Sequence, residues 1–182
     1  MNRVLVILAP GFEEVEAFGP VDMLRRAGAD VTTAGTVDGV IVGRNDIKTL
    51  ADESLDHALN EEFDMIVLPG GLGGTENMMG DERVRRIIEH HDEKGKKIAA
   101  ICAAPTILAD MGVTKGKNIT SHPSVKDEFK EENYSEDRVV VDGNIITSRG
   151  PGTALEFGLK LVEILVSKEK AEEVNAGVMA RL

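Results

Sequence analysis

The fold is decided by residues 97–105, which read Lys97-Ile98-Ala99-Ala100-Ile101-Cys102-Ala103-Ala104-Pro105. A short apolar run of this kind, with no polar alternation, is typical of a strand buried inside a parallel sheet. The small residues after it allow a tight turn, and Pro105 suits the first turn of a helix. The stretch therefore predicts a sharp strand-to-helix elbow with Cys102 at its apex.

The same alternation continues on both sides of this elbow, where short apolar runs are separated by amphipathic stretches. Such a pattern predicts an α/β fold, a doubly wound and mostly parallel sheet with helices on both faces. Predicted strands are 3–8, 30–35, 65–68, 97–101, 118–120 and 145–148, and predicted helices are 13–27, 81–93, 104–111, 124–130, 153–166 and 168–180. Two hairpins are also expected, one added to the sheet edge within 37–51 and one within 138–148.

Composition restricts the possible functions. The 182 residues fit a single domain covering 1–182, and 42% hydrophobic with 29% charged residues is typical of a folded globular protein. A net charge of -11 argues against a stable nucleic-acid partner or an acidic membrane surface. The apolar run before Pro10 is too short for a signal segment or a membrane span, so we expect a cytoplasmic protein.

The one cysteine excludes an internal disulfide and any multi-thiolate metal site. Cys102 lies where ligands bind in open parallel sheets, beyond the carboxyl ends of the strands. The N-terminus of the following helix would stabilise a thiolate there. The alternative is a buried and inert cysteine, which is common in cytosolic proteins.

The predicted first helix contains a carboxylate in an unusual position. Its apolar stripe consists of Phe12, Val15, Gly19 and Met23, and Glu16 borders that stripe. A carboxylate at the edge of a buried face is costly unless it is paired or protonated, so Glu16 is a candidate hydrogen-bond donor to the thiolate. For Glu13 and Glu14 we expect only a favourable interaction with the helix dipole.

The glycines after the third predicted strand form a second candidate element. Gly70 and Gly71 are followed by Leu72-Gly73-Gly74-Thr75, which matches neither a phosphate-binding P-loop nor a dinucleotide fingerprint. Exposed backbone N–H groups of this loop, together with that of Ala103, are suited to binding an oxyanion. A plain turn is the alternative.

The four histidines differ in their surroundings. His57, His90 and His91 lie in charged stretches and are expected to face solvent, whereas His122 ends a predicted strand near the elbow. His122 is therefore a candidate proton carrier, with a purely structural loop histidine as the alternative. No histidine and carboxylate spacing resembles a metal site, and no metal or other cofactor is expected.

Five segments together resemble a known family over nearly the whole chain. They are Gly11-Phe12-Glu13-Glu14-Val15-Glu16, Leu68-Pro69-Gly70-Gly71, residues 99–105, Ser121-His122-Pro123 and Thr147-Ser148-Arg149-Gly150-Pro151-Gly152-Thr153. The combination resembles the ThiJ/PfpI superfamily, in particular its DJ-one and YajL branch. The resemblance implies a flavodoxin-like fold, a homodimer, a nucleophilic Cys102, a protonated Glu16 beside it, and His122 as a nearby proton carrier. It also implies that Gly71 and Ala103 donate to an oxyanion.

The activities implied by this resemblance are conversion of methylglyoxal or glyoxal to hydroxy acids without a cofactor, repair of early glycation adducts, and protection against oxidative stress. The peptidase branch has a histidine directly after the cysteine, where this chain has Ala103, so a peptidase is not expected. The leading hypothesis is a glyoxalase or deglycase acting on small reactive aldehydes. The alternative is a redox sensor or stress chaperone in which Cys102 is oxidised to sulfinic acid.

Overall fold

The computed structural model describes residues 2–180. Its strands are β1 (Arg3–Leu8), β2 (Asp30–Gly35), β3 (Val40–Val42), β4 (Lys48–Leu50), β5 (Glu53–Ser54), β6 (Met65–Leu68), β7 (Lys97–Ile101), β8 (Asn118–Ile119), β9 (Asn133–Tyr134), β10 (Val139–Asp142) and β11 (Ile145–Ser148). Its α-helices are α1 (Glu14–Arg26), α2 (Leu55–Ala58), α3 (Leu72–Met79), α4 (Glu82–Glu93), α5 (Pro105–Asp110), α6 (Ala154–Leu165) and α7 (Lys168–Val178). Two 3₁₀ turns cover Pro123–Glu128 and Pro151–Thr153.

Seven of the strands in residues 2–180 form one central sheet, in the order β10-β11-β7-β6-β1-β2-β5. All neighbouring pairs in this sheet are parallel except β10 and β11, which form an antiparallel hairpin at one edge. The predicted hairpin within 138–148 is therefore confirmed. Because most strands run in the same direction, their carboxyl ends share one rim, and that rim carries the loop with Cys102.

The sheet is covered on both faces, as the apolar runs predicted. Side chains of β1 alternate between two cores: Val4 and Val6 pack with Phe157 of α6, whereas Leu5 and Ile7 pack with Ile88 of α4. Both faces are apolar because each is covered by helices. The predicted α/β class is confirmed.

Three local predictions need correction. The hairpin within 37–51 is present as β3 and β4, but it forms a separate two-stranded sheet, and β5 is the edge strand instead. Likewise, β8 pairs with β9 outside the central sheet. The glycine-rich stretch after Gly71 is the helix α3, because the helix is fixed by packing of buried residues such as Met78 rather than by its weak intrinsic propensity.

Candidate active site

Cys102 lies at the predicted elbow, between β7 and α5. Its φ of +66° is in the left-handed region that non-glycine residues rarely adopt. Two backbone hydrogen bonds hold it there: its N–H donates to the Ser148 carbonyl at 3.0 Å, and its carbonyl accepts the His122 N–H at 2.9 Å. Such strained residues cluster at functional sites. The elbow is confirmed, although Cys102 is only 6% exposed and thus more enclosed than a protruding nucleophile.

Glu16 is fully buried in the first turn of α1. Its Oε2 accepts the backbone N–H of Gly70 at 2.9 Å, while Oε1 is buried with no hydrogen-bond partner among residues 2–180. Glu13 fixes this turn, because its side chain caps the helix by accepting the Glu16 N–H at 2.8 Å. The helix start therefore directs one carboxyl group into the space beside Cys102.

Burial raises the pKa of Glu16 to about 7. The neighbouring Cys102 side chain lowers this pKa, and the negative charge of Glu13 raises it. The Gly70 N–H and the positive charge of Arg44 lower it further. Glu16 therefore exchanges its proton near neutral pH, and the expected protonated form predominates only below about pH 7.

Burial also raises the pKa of the Cys102 thiol, to about 12, and the neighbouring Glu16 carboxyl group adds to this. The backbone N–H groups of Gly71 and Ala103 act in the opposite direction. The expectation of a resting thiolate is therefore wrong for this structure, because burial and then the charge of an ionised Glu16 keep the proton on the sulfur. Once Glu16 is protonated, its charge no longer acts on the sulfur, so the two groups titrate as a pair rather than independently.

The Gly70–Gly71 loop packs tightly against both of these side chains. A Cβ on Gly70 would lie 2.5 Å from Glu16 Oε2 and 2.6 Å from Cys102 Cβ, so there is no room for a side chain. Gly71 has φ +83°, and a Cβ there would lie 2.4 Å from the carbonyl oxygen of Gly11. These constraints bring the Gly71 N–H to the sulfur of Cys102, alongside the N–H of Ala103.

His122 lies on the same rim, beyond β8. Its Nδ1 accepts the backbone N–H of Ser124 at 3.2 Å and contacts the Ser124 hydroxyl at 2.7 Å. Because a backbone N–H can only donate, the proton of a neutral His122 ring sits on Nε2. A Cβ on Gly150 would lie 3.5 Å from His122 Cδ2 and 4.0 Å from Glu16 Oε1, so the imidazole and the carboxyl group flank the same glycine.

The structure thus brings together all six predicted site residues, namely Cys102, Glu16, His122, Gly70, Gly71 and Ala103. It also adds a residue that the sequence did not indicate. Arg44, on the loop between β3 and β4, is held near the site by its N–H, which donates to the Phe12 carbonyl at 2.7 Å. Its charge acts on Glu16. No local pattern could have found it, since the contact joins distant parts of the chain.

Glu13 and Glu14 do more than interact with a helix dipole, so that expectation was incomplete. Both are buried; Glu13 caps α1, and the Glu14 carboxylate accepts two 2.8 Å hydrogen bonds from Asn45. The prediction that Val15 belongs to the buried stripe of α1 is wrong, because its side chain is 51% exposed. The helix turns this residue outward while its neighbours Glu14 and Glu16 face inward.

The expected exposure of His91 is also wrong. Its ring is buried and its Nδ1 donates to the Ile87 carbonyl at 2.9 Å, because the last turn of α4 packs onto the sheet. Burial lowers the pKa of His91. A cluster of Glu53, His57 and Glu61 was missed as well, although these residues are four positions apart in sequence.

Three known proteins show the relationship most directly. Protein dj-1beta of Drosophila melanogaster is 49% identical over 181 residues, covering 98% of this chain and 97% of that protein. Its crystal structure superposes with a TM-score of 0.95 at 48% identity, covering 98% of this chain and 97% of the other. Oxidized DJ-1 of Toxoplasma gondii has a TM-score of 0.95 at 36% identity and 98% coverage of both chains.

A third relative, the glutathione-independent glyoxalase DJR-1.2 of Caenorhabditis elegans, is 35% identical over 176 residues, covering 95% of this chain and 94% of that protein. The sequence profile described as the DJ-1/PfpI family matches residues 2–164. The match therefore includes the elbow, the glycine loop, the first turn of α1 and the His122 loop. With full-length relatives and a shared fold, this chain belongs to the DJ-1/PfpI family.

Proposed function

We propose that this protein is a cofactor-independent glyoxalase or deglycase-type enzyme of the cytoplasm, converting 2-oxoaldehydes such as methylglyoxal to hydroxy acids. The observation that carries the proposal is the convergence of Glu16 and the N–H groups of Gly71 and Ala103 on the sulfur of Cys102. A nucleophile, a proton carrier and oxyanion donors are thereby available at one point. The name of the Caenorhabditis elegans relative supports the same reaction.

In the proposed reaction, the active form has the proton on Glu16 and the negative charge on the Cys102 sulfur. The sulfur attacks the aldehyde carbon, a C–S bond forms, and the aldehyde oxygen becomes an oxyanion. The backbone N–H groups of Gly71 and Ala103 stabilise that charge. Protonation of the oxyanion gives a hemithioacetal.

A proton then leaves the former aldehyde carbon and is delivered to the adjacent ketone carbon, by Glu16 with help from His122. A second proton passes from the hydroxyl group on the first carbon to the oxygen on the second. The first carbon becomes a thioester and the second an alcohol, so oxidation of one carbon balances reduction of the other. Water adds to the thioester, the C–S bond breaks, and the hydroxy acid leaves with Cys102 restored.

The test is enzymatic production of lactate from methylglyoxal by the purified chain without glutathione or added metal. Cys102→Ser should abolish turnover, while the control His90→Ala, altered on the outer side of α4, should retain it. Circular dichroism should show that both variants remain folded. Lactate formation by Cys102→Ser at the parent rate would refute the proposal.

The second candidate is a redox-sensing stress protein acting through oxidation of Cys102 to sulfinic acid. It is favoured by the enclosed sulfur beside a carboxyl group that can hydrogen-bond an oxidised product, and by the oxidized state named for the Toxoplasma gondii relative. Intact-mass analysis after mild peroxide separates the two functions. A stable gain of two oxygen atoms without lactate turnover would support the sensor and contradict the enzyme.

We also propose that the protein forms a homodimer. Exposed apolar side chains occur on α1 and on the β3–β4 hairpin, and they include Val15, Val42 and Ile47. The hairpin is bonded to the start of α1, since Gly11 N–H donates to the Val42 carbonyl at 2.8 Å. Val15→Asp should shift the mass measured by light scattering from two chains to one. An unchanged mass would exclude this face as the interface.

No helix within residues 2–180 is both long enough and apolar enough to cross a bilayer.

A further inference from the structure

A second group of reactive side chains lies at the opposite edge of the sheet from β10. The group consists of Glu53 on the edge strand β5, His57 in α2 and Glu61 after α2. Each offers one ligand-type atom, and these atoms lie within 4.8 Å of one another. His57 Nδ1 is 2.5 Å from Glu53 Oε2 and 3.8 Å from Glu61 Oε1. Of the three residues only His57 lies within α2, so the strand before this helix and the turn after it bring the two glutamates to the histidine.

The glutamates of this cluster are held in two different ways. Glu53 Oε1 is buried and has no hydrogen-bond partner in the described part of the chain, although its side chain as a whole is 19% exposed. A buried carboxylate oxygen without a donor is unfavourable unless a cation or another donor reaches it. Glu61 uses its other oxygen, Oε2, to bind the guanidinium of Arg3, so its Oε1 remains directed toward His57.

We propose that Glu53, His57 and Glu61 form a binding site for one divalent transition-metal ion of the Zn²⁺ class. One imidazole nitrogen and two carboxylate oxygens are a donor set that Zn²⁺ accepts, whereas Mg²⁺ and Ca²⁺ prefer oxygen ligands alone. The ligand-type atoms of the three side chains are close enough together for small side-chain rotations to bring them all into contact with one ion. Arg3 then acts as an outer partner that orients a ligating carboxylate.

Such an ion would join three consecutive parts of the chain at the sheet edge. Glu53 belongs to β5, which pairs with β2 through only two residues, Ala34 and Gly35. His57 and Glu61 belong to the segment that leads from β5 to β6. An ion that binds only the folded arrangement stabilises it in proportion to its concentration, so we assign this site a structural role separate from Cys102.

The test is titration of the chain with Zn²⁺ by calorimetry in a Cys102→Ser background, which removes the thiol as a competing ligand. We expect one ion per chain, with affinity reduced at least about tenfold by His57→Ala and by Glu53→Gln. His90→Ala is the matched control, because His90 lies 3.3 Å from Glu62 in a similar surface pair but outside the cluster. Its affinity should equal that of the background protein.

Thermal unfolding provides the second measurement. Zn²⁺ should raise the melting temperature of the background protein and of His90→Ala, and should not raise that of His57→Ala. His57 is 64% exposed, so its replacement should leave the metal-free melting temperature nearly unchanged. Equal Zn²⁺ affinity with and without His57, or no binding to the background protein, would overturn the proposal.

Discussion

The backbone N–H of His122 donates a 2.9 Å hydrogen bond to the carbonyl oxygen of Cys102. The histidine loop is therefore attached to the elbow through its main chain, independently of the imidazole. This separation allows the structural and chemical contributions of His122 to be measured with two different substitutions.

His122→Ala removes the imidazole and keeps the N–H, whereas His122→Pro removes both. Proline fits the observed φ of -63°. Both variants should lose about 10²–10⁴-fold in kcat for methylglyoxal if His122 carries a proton. Both variants lose the hydrogen bond from the Ser124 N–H to the imidazole. His122→Pro also loses the main-chain bond to Cys102, so its free energy of unfolding, measured with urea, should be about 1 kcal/mol below that of His122→Ala. Full activity in His122→Ala would assign His122 a purely structural role.

The paired titration of Glu16 and Cys102 predicts a specific pH profile for alkylation of the thiol. In the parent protein, the iodoacetamide rate should rise in two steps, because ionisation of each group changes the other. Glu16→Gln should give a single step. Glu16→Leu, which has no donor, should show a higher thiol pKa than Glu16→Gln. A one-step parent profile identical to that of Glu16→Leu would contradict the pairing.

Glu16 should also make stability depend on pH. Burial raises its pKa to about 7 in the folded state from 4.5, so between these values the folded chain binds more protons than the unfolded chain. Its stabilising contribution is therefore complete below pH 4.5 and is lost as the pH rises through 7. The unfolding free energy of Glu16→Gln relative to the parent should increase from pH 5 to pH 8, by up to about 3 kcal/mol. Urea unfolding of both proteins under reducing conditions measures this difference, and parallel pH curves would contradict it.

Gly70→Ala tests the packing of the glycine loop. The new methyl group would overlap Glu16 Oε2 and Cys102 Cβ, so the loop or the elbow must move. We expect a loss of about 1–3 kcal/mol in stability and a larger proportional loss of kcat. Gly152→Ala is the control, since a Cβ there meets no atom within 4 Å. Equal effects of the two substitutions would show that the tight contact has no functional importance.

Glu14 should contribute stability with the opposite pH dependence. Burial raises its pKa, but hydrogen bonds from its own N–H and from Asn45 and Ile47 keep the net pKa below the ordinary 4.5. Its contribution is therefore present above pH 4.5 and is lost as the pH falls through the folded-state pKa. Glu14→Gln should lower the unfolding free energy at pH 7 by about 1–3 kcal/mol, with a smaller difference at pH 4. A constant difference at both pH values would show that the charge is not involved.

The sequence predicted the elements whose signals are local. β1, β6 and β7 are short apolar runs bounded by glycine or proline, and the small residues after Ile101 specify the elbow. Glu16 was also predictable, because a carboxylate next to an apolar stripe must have a special environment. For the glycine loop, Ala103 and His122 the residues alone left a structural alternative open, and the resemblance to a known family favoured the functional hypothesis.

The features that were missed depend on contacts between distant residues. Burial of Glu14 requires Asn45, which lies 31 positions away, and the influence of Arg44 on Glu16 requires the same hairpin. α3 was missed because Gly73 and Gly74 conceal a helix that packing maintains. The resting protonation of Cys102 also could not be predicted, since it depends on its burial as much as on the helix that follows it.

The left-handed backbone at Cys102 has a practical consequence for engineering. Strain of this kind costs about 1–3 kcal/mol, whereas glycine adopts the same conformation freely and adds only about 0.5–1 kcal/mol of unfolded-chain entropy. In Cys102→Gly the relieved strain offsets part of the packing lost with the buried thiol, so selection for heat resistance alone protects the sulfur only weakly. Any search for robust variants of this protein has to screen for reactivity in the same round.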